Sequence, residues 1–198
     1  TEAKNSQAKW FPYNKGGGFR KWYGNVEHVI NWENDGEEVI GYAASLYGSA
    51  TRTIKSLSEY FKPSVSWSKI SSGNLALRYY PRGFIFDVAG CCIFTDDDKY
   101  RLRLTGFMNS HTARQLLTAI SPTLNFEVGH IAVLPVLNEL SGIPSAPIQK
   151  LIDATKSDWD SEETSWDFGS LPLLSLEQRA GTLEATYRNL RTDWRNTT

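Results

Sequence analysis

Aromatic rings, positive charges and glycines are interleaved in one short stretch, WFPYNKGGGFRKWYGN, which runs from Trp10 to Asn25. Its three consecutive glycines let backbone approach a ligand closely, and backbone amides beside cations suit a phosphate group. The rings could stack on bases, or they could pin the loop and leave the cations solvated. Both interpretations stay open from these residues alone. The candidate phosphate ligands are Lys15, Gly17, Arg20 and Lys21.

A second polar loop runs from Ser68 to Asn74 between two predicted strands, and Arg78 and Arg82 flank the tripeptide Tyr79-Tyr80-Pro81. Arginine, lysine, asparagine and serine are the side chains that read base edges or hold phosphates. A solvated turn explains the same residues without any ligand. These residues are therefore binding candidates and not an identified site.

Motifs for catalysis are missing from the sequence. The glycines after Lys15 do not form a GxxxxGK[ST] phosphate loop, and no GxGxxG opens a helix after a strand. The three histidines lie far apart, without a metal-ligand partner three or four residues away. A turn entering a helix explains the run Asp96 to Asp98, and burial as small apolar side chains explains Cys91 and Cys92. We therefore expect a binding protein without a metal site.

Composition indicates one folded, soluble domain. The 198 residues are 40% apolar and 13% aromatic, and no apolar run approaches the roughly 18 residues of a membrane helix. Adjacent cysteines cannot close a useful loop, so a reducing, cytoplasmic compartment is expected.

The charge is unevenly distributed along the chain. A net charge of −1 argues weakly against nucleic-acid binding. However, residues through Pro135 include 15 basic and 12 acidic side chains, whereas those from Val136 onward include 6 and 10. The first part can therefore carry a positive face, although ordinary mixed surface charge explains the same counts.

The elements that must position these residues indicate an α+β fold, in which a small, largely antiparallel β-sheet packs with helices and precedes a helical C-terminal tail. Alternation in VEHVINW from Val26 predicts a strand, and residues 34–36 predict a turn or helix start. Further β-rich pieces are bounded by Gly, Pro, Asn or Asp. They begin at Val65, Leu75, Gly83 and Cys91.

Apolar spacing of three or four predicts helices over 37–61 and 100–120, a third from Ser145, and a last one with a capping box at Ser175 and Gln178. The segment 124–136 is predicted to be extended. The last helix has a regular apolar seam that needs a partner surface. A Pro/Gly/Ser-rich stretch suggests a hinge between a body, 1–140, and a tail, 141–198, that packs on the body or on a neighbouring domain.

Several motifs in one order resemble the region downstream of the catalytic domain in the PglX family, the adenine-specific DNA methyltransferases of BREX phage-defence systems. They are WFPYNKGGGFRKWYGNVEHVINWENDG, ISSG, RYYPRGFIFDVAGCCIF and SPTLNFEVGHIAVLPV, and the resemblance covers roughly Lys9 to Phe168. It implies a target-recognition region for double-stranded DNA. The catalytic methyltransferase domain and S-adenosylmethionine would belong to the rest of the parent protein. The Asn-Pro-Pro-Tyr type motif that holds a flipped adenine in such enzymes is absent here, so no cofactor is expected in this chain.

The resemblance also divides the candidate roles. The shared glycine motif would hold phosphate, whereas base choice would lie where the chain departs from shared motifs. The alternative is a non-catalytic protein-interaction module whose apolar seam and acidic segment dock other BREX components. The base-reading candidates are Arg52, Lys55, Lys69, Ser71, Ser72, Asn74, Arg78, Arg82, Arg101 and Arg103.

Overall fold

The structure, a computed structural model, describes residues 2–71, 73–121, 123–136 and 140–197. Within these ranges the chain has an α+β fold, as predicted, and its strands form two three-stranded sheets. No helix in the described ranges has the length and apolar character needed to cross a lipid bilayer.

The first sheet is built around β1, Trp10–Asn14. This strand pairs antiparallel with β2, His28–Asn31, and parallel with β5, Ile85–Phe86. Phe11 and Asn14 point into the protein. Part of the aromatic and glycine-rich stretch is therefore a central strand with core residues, although its residue types had suggested a binding loop.

The second sheet is built around β3, Ser64–Ser68, whose residues are all buried. It lies between β4, Leu77–Tyr80, and β6, Gly90–Phe94, and both pairings are antiparallel. The predicted strands of this region are confirmed, with bounds that differ by one or two residues from their sequence patterns. Short strands bounded by turn residues produced a clear local signal.

A short helix α1, Glu2–Ser6, precedes the first sheet, and α2 spans Glu33–Tyr47. Residues 34–36 have positive φ angles, so they form the predicted turn before the regular helix. The predicted extension of this helix to Phe61 is wrong. Gly48 adopts the left-handed conformation and ends the helix, because its φ of 71° suits a residue without a Cβ. Two single 3-10 turns, Ala50–Arg52 and Leu57–Glu59, follow.

The predicted helix over 100–120 is two helices, α3, Asp98–Met108, and α4, His111–Ile120. The chain breaks between them because the Ser110 side chain accepts a hydrogen bond from the Ala113 amide and caps α4. Asp97 caps α3 by accepting from the amides of Lys99 and Tyr100, which confirms the turn predicted for this acidic run.

Three further α-helices lie in the described ranges. The predicted extended segment 124–136 contains instead a short helix, α5, Val128–Ala132. Helix α6, Ser145–Asp160, begins where predicted and packs on α3, with Ile148 and Ile152 buried. The capping box at Ser175 is wrong: α7 spans Leu183–Thr197, where the Thr182 hydroxyl accepts from the Ala185 amide.

The largest apolar cluster joins β3, β4 and β6 to α3, α4 and α5. A second cluster lies under the first sheet and is centred on Phe11, Trp32 and Ile85. In a third cluster, Trp159 of α6 packs with Tyr23 and neighbouring apolar residues. Helix α6 therefore packs on the remainder of the described chain. The division into 1–140 and 141–198 stays a prediction.

Candidate nucleic-acid interface

The glycine loop leaves β1 at Asn14, whose buried side chain fixes the first turn of the loop. Its Oδ1 accepts a hydrogen bond from the Gly16 amide at 3.1 Å, and its Nδ2 donates to Ser66 Oγ at 2.7 Å. Because Ser66 lies on the central strand of the second sheet, Asn14 ties the loop to both sheets. The loop therefore begins from a rigid base.

Gly16 and Gly17 are required by the local geometry. Gly16 has a φ of +75°, and a Cβ there would lie 2.7 Å from the carbonyl oxygen of Ala89. A Cβ at Gly17, with a φ of +127°, would collide with the Asn25 side chain. Gly18 has open space around it. The loop is therefore tight at its start and open at its tip.

A buried arginine supports the loop from beneath. Arg78 is only 1% exposed, and its guanidinium donates to Ser68 Oγ at 3.1 Å and to the Arg20 carbonyl at 3.4 Å. Ser68 in turn donates to the Gly17 carbonyl at 2.8 Å. Because its donors are directed at protein atoms, Arg78 acts as a support for the loop, and we leave it out of the base-reading surface.

The predicted phosphate ligands differ in what they contact. Lys15 is exposed and forms no ion pair with any residue in the described ranges. Arg20 lies over the Trp159 ring at 4.7 Å and 3.6 Å from a Glu162 oxygen, and Lys21 donates to the Asn109 carbonyl at 2.8 Å. The structure thus leaves Lys15 fully open to a ligand and engages the other two cations within the protein.

The loop tip offers backbone donors as well. Within the described ranges, the amides of Gly17 and Gly18 donate to no protein acceptor, and both glycines are exposed. The Asn25 amide group holds the tip by donating to the Gly18 carbonyl at 2.9 Å. Open amides beside an exposed lysine are a suitable arrangement for the oxygen atoms of one phosphate group.

The structure places the base-reading candidates in scattered positions. Arg101 is 2% exposed and bonded to Asp98 and the Thr95 carbonyl, so it supports the α3 start. Arg103 donates to the Ile143 carbonyl, and Lys69 pairs with Glu127 at 3.2 Å. Ser71 is half-buried, and Ser72 lies outside the described residues. The exposed candidates are Arg52, Lys55, Asn74 and Arg82.

An aromatic cleft of about 710 Å³ lies next to the loop and was not predicted from the sequence. Its walls come from both sheets, from α2, from the segment after α2 and from the start of α5. No sequence signal could have found it, since its lining comes from several separate elements between Tyr13 and Val128. Its rings include Tyr13, Trp32, Tyr42, Tyr47, Tyr60 and Phe86.

Burial and a nearby carboxylate raise the pKa of two inner tyrosines of the cleft, Tyr13 and Tyr60. Burial, followed by the nearby Asp87 carboxylate that accepts its hydrogen bond, raises the pKa of Tyr13 well above its ordinary value. Burial, followed by Asp87, raises the pKa of Tyr60 to about 12. Burial likewise raises the pKa of the Cys91 thiol, which agrees with the predicted role of a buried apolar side chain. Within the described ranges, no three His, Cys, Asp or Glu side chains are grouped as a metal site would require.

No family model matches the chain. It is similar, however, to curated proteins over most of its length. It is 37% identical over 182 residues, or 90% of the chain, to "Adenine-specific methyltransferase PglX" of Lacticaseibacillus casei (strain Zhang). It is 34% identical over 186 residues, or 92% of the chain, to "Adenine-specific methyltransferase BrxX" of Escherichia coli O9:H4 (strain HS).

The similarity to both relatives covers about nine tenths of the chain, which is more than the segment from Lys9 to Phe168. It therefore extends beyond the region in which a resemblance was expected. The chain spans only 15% and 14% of the length of these relatives. By this similarity, the chain is a homologue of one segment of the PglX and BrxX adenine-specific methyltransferases.

Proposed function

We propose that this chain is the DNA target-recognition part of a site-specific adenine-N6 methyltransferase in a BREX-type phage-defence system. In this role it grips duplex DNA and selects the site, while a catalytic domain of the same protein transfers the methyl group. The observation that carries the proposal is the rigid glycine loop, which presents Lys15 and the amides of Gly17 and Gly18 to solvent. The relatives are named for activity on adenine, which supports a nucleic-acid substrate.

Methyl transfer itself is assigned to the rest of the parent protein. The methyl donor in this proposal is S-adenosylmethionine, and the residues present do not fit it. Within the described ranges the sheets contain one short parallel pairing, between β1 and β5, and no glycine-rich turn leads from a parallel strand into a helix. We therefore place the cofactor outside this chain and derive no step through it.

Salt dependence tests the proposal directly. Fluorescence anisotropy would follow the chain binding to a randomised DNA duplex from low to physiological salt. The logarithm of the binding constant falls with slope of about −0.9 per neutralised phosphate. We expect Lys15→Ala to weaken binding to all sequences alike and to reduce the slope by about one.

Lys150→Ala is the matched control, because Lys150 is an exposed lysine on α6 outside the glycine loop. It should leave the slope unchanged. If a folded sample binds no duplex at low salt, or if both lysine variants behave alike, the loop does not hold DNA phosphate.

A second candidate function is docking to another protein, favoured by apolar side chains exposed near the C-terminus. Leu176, Leu183 and Leu174 are largely exposed, and Tyr187 and Trp194 are about half exposed. Such a surface is typical of a protein interface. If this surface serves docking, its partner is the catalytic domain or another defence component.

Docking and DNA binding respond differently to the same change. The double variant Leu176→Asp, Leu183→Asp should abolish association with the remaining part of the parent methyltransferase, in an interaction that salt affects little. It should leave duplex affinity of the 198-residue chain unchanged. Undiminished association in a pull-down at both low and high salt would exclude this surface as the docking site.

A further inference from the structure

The aromatic cleft is physically continuous with the glycine loop. Val88 lines the cleft, and the turn that contains it contacts the loop on its other side. The Asp87 amide donates to the Asn14 carbonyl at 3.3 Å, and the Ala89 carbonyl oxygen lies 2.7 Å from the position that a Cβ on Gly16 would take. The turn at residues 87–89 therefore joins the wall of the cleft to the base of the glycine loop.

The shape and lining of the cleft suit a flat aromatic group. Its volume of about 710 Å³ falls within the range of about 300–1,000 Å³ that is common for ligand pockets. Edge-on contacts between rings fix its inner wall. The centroid of the Tyr60 ring lies 5.2 Å from that of Trp32 and 5.1 Å from that of Phe86. Tyr42 and Tyr47 are exposed at the mouth, where no ring in the described residues pairs with them. These two rings are free to stack on an entering group.

The charged side chains that line the cleft do not concentrate positive charge for a phosphate group. Lys69 pairs with Glu127, and Glu59 pairs with Lys62 outside the lining, which leaves Lys55 and Asp87. Asp87 accepts from the Ala89 and Gly90 amides through its Oδ1 atom, and a neutral ring with both N–H donors and acceptors along its edge matches this mixture of acceptors and phenol groups. Nucleobases have this edge chemistry, and carboxylates accept hydrogen bonds from their exocyclic amino groups.

We propose that the cleft receives one unstacked nucleobase of the DNA whose backbone lies on the glycine loop. This inference rests on the proposed DNA-binding function. The base stacks against Tyr42 and Tyr47 at the mouth, while its edge faces the carboxylates and phenols inside. Stacking of this kind is tolerant of sequence, since every base has an aromatic face.

A bulged duplex tests the proposal with the 198-residue chain. Two duplexes are compared by anisotropy, one fully paired and one that differs only by a single extra, unpaired adenine in one strand. We expect the bulged duplex to bind at least about fivefold more tightly, because base stacking on an aromatic side chain gives roughly this gain. Tyr47→Ala should reduce this preference to within about twofold and leave affinity for the paired duplex unchanged.

Tyr187→Ala is the matched control, since Tyr187 is 45% exposed on α7 and Tyr47 is 47% exposed on α2. The preference for the bulged duplex should persist in this variant, and thermal melting should show both variants folded. Free adenosine is titrated as a competitor to separate a base held in DNA from a free nucleoside. It should compete weakly, because it lacks the phosphate contacts at the loop.

The outcomes separate the two proposals. Tight binding to the paired duplex without a preference for the bulge overturns the base-receiving cleft and leaves DNA recognition intact. A preference that Tyr47→Ala does not reduce also overturns it, because bending at the bulge then explains the result. Absence of binding to both duplexes overturns it together with the proposed function. Adenosine binding without a bulge preference assigns the cleft to a nucleoside and overturns a DNA base.

Discussion

Substitution of Gly16 by alanine tests whether the glycine loop owes its shape to one backbone position. Gly16 has a φ of +75°, and a Cβ would lie 2.7 Å from the Ala89 carbonyl oxygen and 3.2 Å from Ser68 Oγ. A left-handed conformation costs a residue with a Cβ about 1–2 kcal/mol. The Ala89 carbonyl is part of the backbone and cannot move aside as the end of a flexible side chain can. The loop must therefore shift and lose a hydrogen bond that contributes about 0.5–1.5 kcal/mol.

Together these effects predict that Gly16→Ala lowers the free energy of unfolding by about 1.5–3.5 kcal/mol. For a chain of this size the melting temperature should fall by about 3–14 °C. Thermal melting followed by circular dichroism measures this change, and anisotropy with a randomised duplex measures DNA affinity. We expect the affinity to fall as well, because the displaced loop no longer presents Lys15 beside the open amides.

Gly18→Ala is the control two residues away. No heavy atom of the surrounding protein lies within 4 Å of the position that a Cβ on Gly18 would take, so alanine should change the free energy of unfolding by less than about 0.5 kcal/mol. Equal melting temperatures for the two variants would refute the reasoning that backbone crowding at Gly16 fixes the loop.

Three other predictions concern the elements around the loop. The Asn109 side chain accepts a hydrogen bond from the Leu77 amide and donates one to the Leu77 carbonyl, both at 2.9 Å. Asn109→Ala should therefore lower the free energy of unfolding by about 1–3 kcal/mol in urea titrations, while the slope of that free energy against urea concentration stays unchanged. Burial raises the pKa of the Cys92 thiol to about 11, whereas the thiol of the unfolded chain ionises near 9.0. The free energy of unfolding should therefore fall as pH rises between these two values, and it should fall less in Cys92→Ala. Leu190 is the buried apolar side chain that anchors α7. Leu190→Ala should therefore reduce the free energy of unfolding by about 2–5 kcal/mol, and limited proteolysis should cut the chain at α7. Cleavage confined to another region would count against this role.

Local patterns located most of the strands and helices. Strands β2 to β6 were found because alternation and flanking turn residues are properties of a few adjacent positions. Helix ends were predicted less well. The apolar spacing continues past Gly48 and past Ser110, but a left-handed glycine and a serine cap end and restart the helices there. At the last helix, the Thr182 cap prevailed over the capping box that begins at Ser175.

The candidate site was predicted only in part. Glycine, lysine and aromatic residues marked the loop, since their types show that close backbone approach and positive charge are possible. Nothing in the sequence distinguishes Arg78 beneath the loop from Arg82 on the surface, because exposure depends on how the strands pack. The two arginines lie only four residues apart, yet Arg78 is buried and Arg82 is exposed.

The sequence by itself determined the α+β class, most of the strands and the position of the cation-bearing glycine loop, because these follow from spacing and residue type over short distances. Only the tertiary structure decided which cations remain open, since Arg20 and Lys21 engage Trp159 and Asn109, far away in the chain. It alone created the aromatic cleft as well. A cavity forms where separate elements fail to fill the space between them, and that space does not exist until both sheets and α2 have packed.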